Sequence, residues 1–327
     1  MDGDVSTGSR SRVVRVCTCG LRHNDKANPV CGPAGTDVDE QETIAVTTDD
    51  EQPGSEQTRV ERFVSQPLPL DSIVCGDNCD VLGTFPRECI DLVVTSPPYD
   101  DLRTYGGHAW DFYGVAWQLK RVLKPGGVIV WVVNDATKDG SETGSSMRQA
   151  LHFKEIGLKL WDTMIYQTTK QPLNQPRYEP KFEFMFVLSS GFPAVWNPLK
   201  ERCAYAGTKT GATYRQANGE MKERHGVATI AEHKVRGNIW DIPSGNGKTE
   251  IAGDHPASFP EKLARDHILS WSNEGDIVLD PFNGSGTTTK MARAMGRRFI
   301  GIDVNEGYCE IARKRLAQKL LDFGDAG

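Results

Sequence analysis

The chain is short of several things, and each shortage closes off a class of function. No apolar run approaches the roughly 18–20 residues that a bilayer-spanning helix needs, so a membrane protein is not expected. The polar, acidic start Met1-Asp2-Gly3-Asp4 offers no signal peptide, and a cytoplasmic location is the expectation. The eight cysteines, scattered from Cys17 to Cys309, then read as reduced thiols and not as a disulfide framework. Cys17-Thr18-Cys19, His23 and Cys31 lack the paired spacing of a zinc site, so no metal is expected. There is no Ser-His-Asp order, no HExxH and no phosphate-loop lysine. A net charge of −6 argues against blanket attraction to a polyanion. It leaves room for a local basic surface.

What is present is concentrated after residue 66. Residues 1–66 are rich in Gly, Ser, Thr, Asp and Glu without apolar periodicity, and are expected to be disordered. Beyond them strands alternate with helices. Apolar runs at Ser72–Cys75, Ile90–Val94, Val128–Val133, Leu158–Tyr166, Phe182–Leu188, Asp276–Asp280 and Arg298–Asp303 read as strands. Helical spacing marks Asp111–Leu123, Gln149–Ile156, Pro260–Trp271, Thr287–Met295 and the segment from Glu306 towards Leu321. Lys124-Pro125-Gly126-Gly127 reads as a breaker between a helix and a strand. The alternation predicts a doubly wound, mostly parallel α/β sheet. Residues 196–253 break the pattern: they are polar, glycine-bearing and basic, and read as an insertion between halves at 67–195 and 254–327.

Two motifs carry the chemistry. Thr95-Ser96-Pro97-Pro98-Tyr99 ends a buried strand. Consecutive prolines fix φ and supply no N–H, so the backbone must leave the sheet in a stiff, extended turn. That turn offers a hydroxyl, carbonyls outside the ladder, and an aromatic ring, which suits a planar base with an exocyclic amine. The second motif is Asp280-Pro281-Phe282-Asn283-Gly284-Ser285-Gly286-Thr287: strand, glycine turn, helix start. Glycines let backbone approach a ligand, and a helix N-terminus favours an anionic group. Asp303 ends the next strand about twenty residues on, where a carboxylate can take hydrogen bonds from a ribose.

In this order, with a basic stretch between them, these motifs resemble the beta class of S-adenosylmethionine-dependent DNA amino-methyltransferases over about residues 70–320. Protein glutamine methyltransferases also carry Pro-Pro-Tyr, but after the cofactor loop. The resemblance implies a circularly permuted, Rossmann-like methyltransferase sheet with an inserted target-recognition region. It assigns the catalytic turn to Ser96, Pro97, Pro98 and Tyr99. It gives Asp303 the ribose, and Asp77 and Asn78 the adenine end. Phe282, Gly284 and Gly286 would line the methionine side, beside Asp280 and Ser285. The segment His255-Pro256-Ala257-Ser258-Phe259-Pro260 would pack on the cofactor, with Ser258, Phe259 and Thr287 at its amino-acid end. Arg202, Lys209, Arg215, Lys222, Arg224 and Arg236 would face double-stranded DNA.

The implied reaction moves a methyl group from S-adenosylmethionine to N4 of a flipped cytosine. Ser-Pro-Pro-Tyr and His-Pro-Ala-x-Phe-Pro resemble the cytosine-N4 enzymes more than the adenine-N6 ones. An adenine-N6 enzyme, or an inactive DNA-binding protein of the same fold, is the alternative. A cognate restriction endonuclease is a possible companion.

Overall fold

The computed structural model describes residues 67–98, 110–168, 176–209, 213–223, 228–243 and 259–318. The expectations for residues 1–66, including Cys17, Cys19, His23 and Cys31, fall outside them, as do those for Tyr99, Arg224 and Ser258.

The core elements run β1 (Ser72–Cys75), α1 (Asn78–Gly83), β2 (Ile90–Thr95), α2 (Phe112–Val122), β3 (Leu123–Val133), α3 (Ser145–Glu155), β4 (Lys159–Gln167) and β5 (Phe182–Ser189). They continue with β6 (Ile239–Asp241), α4 (Glu261–Trp271), β7 (Ile277–Asp280), α5 (Thr287–Ala294), β8 (Arg298–Asp303) and α6 (Glu306–Ala317). The strands form an 8-stranded sheet in the order β1-β8-β7-β2-β3-β5-β4-β6. The strands from β1 to β3 are parallel, while β5 lies antiparallel to both β3 and β4. The first strand docks on the last, with Cys75 opposite Asp303. This is the permuted order.

Both faces of the sheet are covered, which explains strands that read as continuous apolar runs. Along β2 the pleat sends Leu92 and Val94 to one face and Val93 to the other. The first face packs on Leu263, Ile268, Met291 and Ala312 from α4, α5 and α6. The second packs on Leu82, Leu119 and Phe153 from α1, α2 and α3. The winding reverses between β7 and β2. In such sheets ligands bind at the carboxyl ends of the strands beside the reversal. No described helix is long and apolar enough to cross a membrane.

Two expectations need correction. Lys124-Pro125-Gly126-Gly127 does not separate α2 from β3: Leu123 already pairs with Ile90, and the ladder resumes at Leu92 opposite Val128. The four residues form a bulge. Gly126 has φ 75°, and a Cβ there would lie 2.8 Å from the Ala194 Cβ, so only glycine fits. Lys124 Nζ closes the bulge on Asp91 at 2.8 Å, and the same carboxylate accepts the Ile277 N–H at 2.9 Å.

The second correction concerns the insertion. Its first part does form exposed ribbons, Lys200–Arg202 with His233–Val235 and Thr213–Arg215 with Met221–Glu223. Its later part is core. Ile239–Asp241 is β6, parallel to β4, with Trp240 and Ile242 buried. Arg236 is therefore not placed to meet DNA. Its guanidinium donates to Asp266 at 2.9 Å and lies 4.4 Å from the Trp240 ring centroid. Burial alone would raise the Asp266 carboxyl, but bonds from Lys262, Arg265 and Arg236 hold it below the usual carboxylate value.

Of the cations that Asp266 holds, Lys262 and Arg265 are more than a third exposed, so the charge that its removal leaves mostly buried and without a carboxylate is the Arg236 guanidinium, 17% exposed. Asp266→Ala is expected to destabilise the fold by about 3 kcal/mol. Urea denaturation would check this, and an unchanged midpoint would refute it.

Candidate active site

The carboxyl ends of β1, β8, β7 and β2 bring the expected residues to one edge of the sheet. Thr95 is fully buried at the end of β2, and its Oγ1 donates to Asp280 Oδ1 at 2.6 Å. Ser96 and Pro98 are half-buried beyond it, and Pro97 is buried. Thr288 Oγ1 donates to the Val94 carbonyl at 3.0 Å, tying α5 to the same strand. The Ser96–Pro98 turn and the glycine turn are thus joined directly, although they lie far apart in the chain.

The glycine turn is built by its backbone. The Asn283 N–H reaches the Ile302 carbonyl at 2.9 Å, and the Gly286 N–H reaches the Asn283 carbonyl at 2.8 Å. Gly286 sits at the N-cap of α5 with φ 82°. A Cβ there would lie 2.9 Å from the Ala312 Cβ, so the glycine also allows α5 to approach α6. With no side chain, it supplies no capping oxygen to the first turn of α5, the arrangement that leaves helix amides for an anionic group.

Two carboxylates flank this turn. Asp303 Oδ2 accepts the Gly284 N–H at 2.8 Å, and Oδ1 accepts the Asn305 N–H at 2.9 Å. Burial raises its pKa, partly offset by those amides. Burial likewise pushes the Asp280 carboxyl up to about 6, against the bonds from Thr95, Thr288 and Phe282. Among the described residues no cationic side chain pairs with either acid. Asp77 caps α1, accepting from the Cys79 and Asp80 N–H groups at 2.8 and 3.2 Å. Asn78 Nδ2 donates to the Pro281 carbonyl at 3.3 Å, which holds the start of α1 against the glycine turn.

Other expected residues are placed differently. Ser285 and Thr287 are buried, and their hydroxyls face Arg315 Nη1 at 3.0 and 3.4 Å. Arg315 also donates to Glu261 at 2.8 Å, so this network braces α4, α6 and the turn from behind. Phe259 is half-buried and packs on the core face lined by α4, α5 and α6. Arg202, Lys209, Arg215 and Lys222 are exposed in the ribbon region. Among the described residues there is no group of three or more His, Cys, Asp or Glu that could hold a metal ion. Sequence reasoning passed over Thr95 as a hydrogen-bonding residue, along with Trp110, Asn283 and Arg315. Thr95, Trp110 and Arg315 carry no local signal, since each acquires its contacts from residues distant in the chain.

A family model described as a DNA methylase, of the N6/N4 type, matches residues 90–314. The chain belongs to that family. A relative, the orphan methyltransferase M.BamHII of Bacillus amyloliquefaciens, is 53% identical over 241 residues, covering 71% of this chain and 90% of its own. The DNA adenine methyltransferase YhdJ of Escherichia coli (strain K12) is 30% identical over 254 residues, covering 75% and 82%. Among solved structures, the PvuII DNA methyltransferase (cytosine-N4-specific) has a TM-score of 0.55 at 20% identity, covering 77% of this chain and 88% of that one. That likeness speaks for the fold. The chain is therefore an S-adenosylmethionine-dependent DNA methylase acting on an exocyclic amino group, N4 or N6.

The residues fit that cofactor. A carboxylate oxygen can accept more than one hydrogen bond, and each Asp303 oxygen holds one amide, so capacity remains for ribose hydroxyls. Two acids, Asp280 buried and Asp303 half-buried, without a cationic side chain suit a ligand carrying a sulfonium and an ammonium.

Proposed function

We propose that the methyl acceptor is the exocyclic N4 of a cytosine turned out of a DNA duplex. The choice of cytosine rests on the serine at position 96, and methyl transfer to an amine at this edge of the sheet is supported by the direct bond from Thr95, the residue before Ser96, to Asp280 at the entrance of the glycine turn, 2.6 Å long. That bond sets the Ser96–Pro98 turn beside the residues that fit the cofactor.

The cofactor supplies an electrophilic methyl on sulfur. The protein must make a poor nucleophile competent. An exocyclic amine delocalises its lone pair into the ring, so its nitrogen is nearly planar. In this reading Ser96 Oγ and the Pro97 carbonyl accept the two amine hydrogens, drawing the nitrogen towards a tetrahedral shape and stabilising its growing positive charge. Tyr99 stacks on the flipped base. No covalent intermediate with the protein is required: as the nitrogen takes the methyl group the carbon–sulfur bond breaks with its electron pair staying on sulfur, and the methylated nitrogen releases one proton to water. Asp303 orients the ribose end, and alignment of nitrogen, methyl and sulfur supplies much of the rate. Arg202, Lys209, Arg215, Lys222 and Arg224 are proposed as contacts to phosphates or guanine edges.

Serine at position 96 and the segment His255–Pro260 support cytosine. The similarity to YhdJ supports adenine N6 as a second reading. Methylation of mixed-sequence duplex DNA, digestion to nucleosides and mass spectrometry separate the two. N4-methylcytosine is the expected product, and N6-methyladenine alone would overturn the choice.

A further inference from the structure

Thr95 and Trp110 stand at the two ends of the chain segment that carries the base-contacting motif, and the same short piece of the glycine turn holds both. Thr95 Oγ1 donates to Asp280 Oδ1 at 2.6 Å. The Trp110 ring stands edge-on to Phe282, with centroids 5.0 Å apart and planes at 78°. Asp280 and Phe282 are themselves linked, because the Phe282 N–H donates to that same Oδ1 at 3.1 Å. Trp110 also lies 6.3 Å from Trp131, which is the register partner of Thr95 on β3. The contacts therefore close a loop: Thr95, Asp280, Phe282, Trp110, Trp131 and back to Thr95.

We propose that Thr95 and Trp110 are positioning residues for methyl transfer, a two-point staple through which the glycine turn sets the place of Ser96 and Pro97. The proposal rests on the reading of Ser96 and Pro97 as acceptors for the amine. Thr95 is fully buried, and in this proposal both residues act through the turn they hold. Their effect is on alignment, where a displacement of about 1 Å can cost about 100-fold in rate. The Thr95 bond resists such a shift because its acceptor is a buried carboxylate, and Phe282 and Trp131 fix the Trp110 ring on two sides. A purely structural role would lower stability and leave turnover at saturation unchanged.

The test uses the full chain with Thr95→Val, Thr95→Ser, Trp110→Leu and Trp110→Phe. It measures cofactor affinity by calorimetry, and kcat and KM by transfer of a labelled methyl group to DNA. Thr95→Val and Trp110→Leu are expected to lower kcat about tenfold or more, with cofactor Kd moved less than about threefold. Thr95→Ser and Trp110→Phe are expected to recover most of kcat. Thr95→Val is close to isosteric and keeps the test alive if Trp110→Leu does not fold. The staple is refuted if kcat stays within about twofold of the parent, if the loss is matched by cofactor affinity, or if the conservative variants recover nothing. Counting total methyl groups makes the result independent of which base is modified. Ser96→Ala, run beside these, tells the two ideas apart: full activity there sinks the reading of Ser96 as an acceptor for the amine, whereas loss there with active staple variants sinks only the staple.

Discussion

Ser96→Ala is expected to slow methyl transfer by about 100-fold or more while S-adenosylmethionine binds as before. The magnitude follows from where the interaction acts. An amine in its ground state is close to neutral and planar, and gains little from an extra acceptor that replaces water. At the transition state the nitrogen carries positive charge, and its hydrogens bond much more strongly to a fixed oxygen. Losing the Ser96 hydroxyl leaves the Pro97 carbonyl as the remaining proposed acceptor, so activity should fall without vanishing. The backbone should be unaffected, because Pro97 and Pro98 set its course whatever the side chain at 96. Single-turnover rates at saturating DNA and cofactor, with calorimetry of cofactor binding, check this. A rate within about threefold of the parent would remove Ser96 from the mechanism.

Asp303→Ala is expected to weaken S-adenosylmethionine binding by about 100-fold. Two losses combine. The ribose loses the carboxylate acceptor proposed for it, and hydrogen bonds to charged groups contribute about 1.5–3 kcal/mol each. The Gly284 N–H, now held at 2.8 Å by Oδ2, loses its partner, so the glycine turn becomes less ordered. The same carboxyl makes binding depend on pH. Burial raises the pKa of Asp303 and pushes Asp280 up to about 6. The ionised forms favour both ribose hydroxyls and a cationic cofactor, so binding should release protons near that range. Affinity is therefore expected to be steady at neutral and alkaline pH and to decline as pH falls through about 6. Titration calorimetry in buffers of different ionisation enthalpy reads both the affinity and the protons released. An affinity that does not change between neutral pH and pH 5 would contradict the assignment of these acids.

The parts of this protein that could be read from the chain are those whose cause is local. β2, β3, β7 and β8 are buried on both faces, so each announces itself as an apolar run. Asp280, the glycines and Asp303 lie within one strand-turn-helix-strand unit, where spacing alone relates them. The parts that were missed depend on partners far away. Three residues, Ile239–Asp241, form a strand because β4 is there to receive them, and the run is too short to stand out. Arg236 counts as one more positive charge in a basic segment until Asp266 and Trp240 are brought against it. The helix does end ahead of Lys124–Gly127, at Val122, but the pairing of Leu123 with Ile90 shows that the strand has already begun there and that a bulge absorbs all four residues. Trp110 has the same difficulty, since nothing near it in the chain indicates Phe282.

The place of β2 in the sheet also sets an order of events during synthesis. It lies between β3, made soon after it, and β7, made nearly at the end. The bond from Thr95 to Asp280 spans 185 positions. As the chain leaves the ribosome, the Ser96–Pro98 turn emerges early, well before the Asp280 that Thr95 bonds to. One edge of β2 stays unpaired until Ile277–Asp280 has been made. A sheet whose central contacts join distant parts of the chain gathers slowly, and an open strand edge invites the wrong neighbour. The nascent enzyme is therefore most exposed to aggregation at its own centre, and it acquires both its middle strand's second partner and its cofactor turn in the same late step.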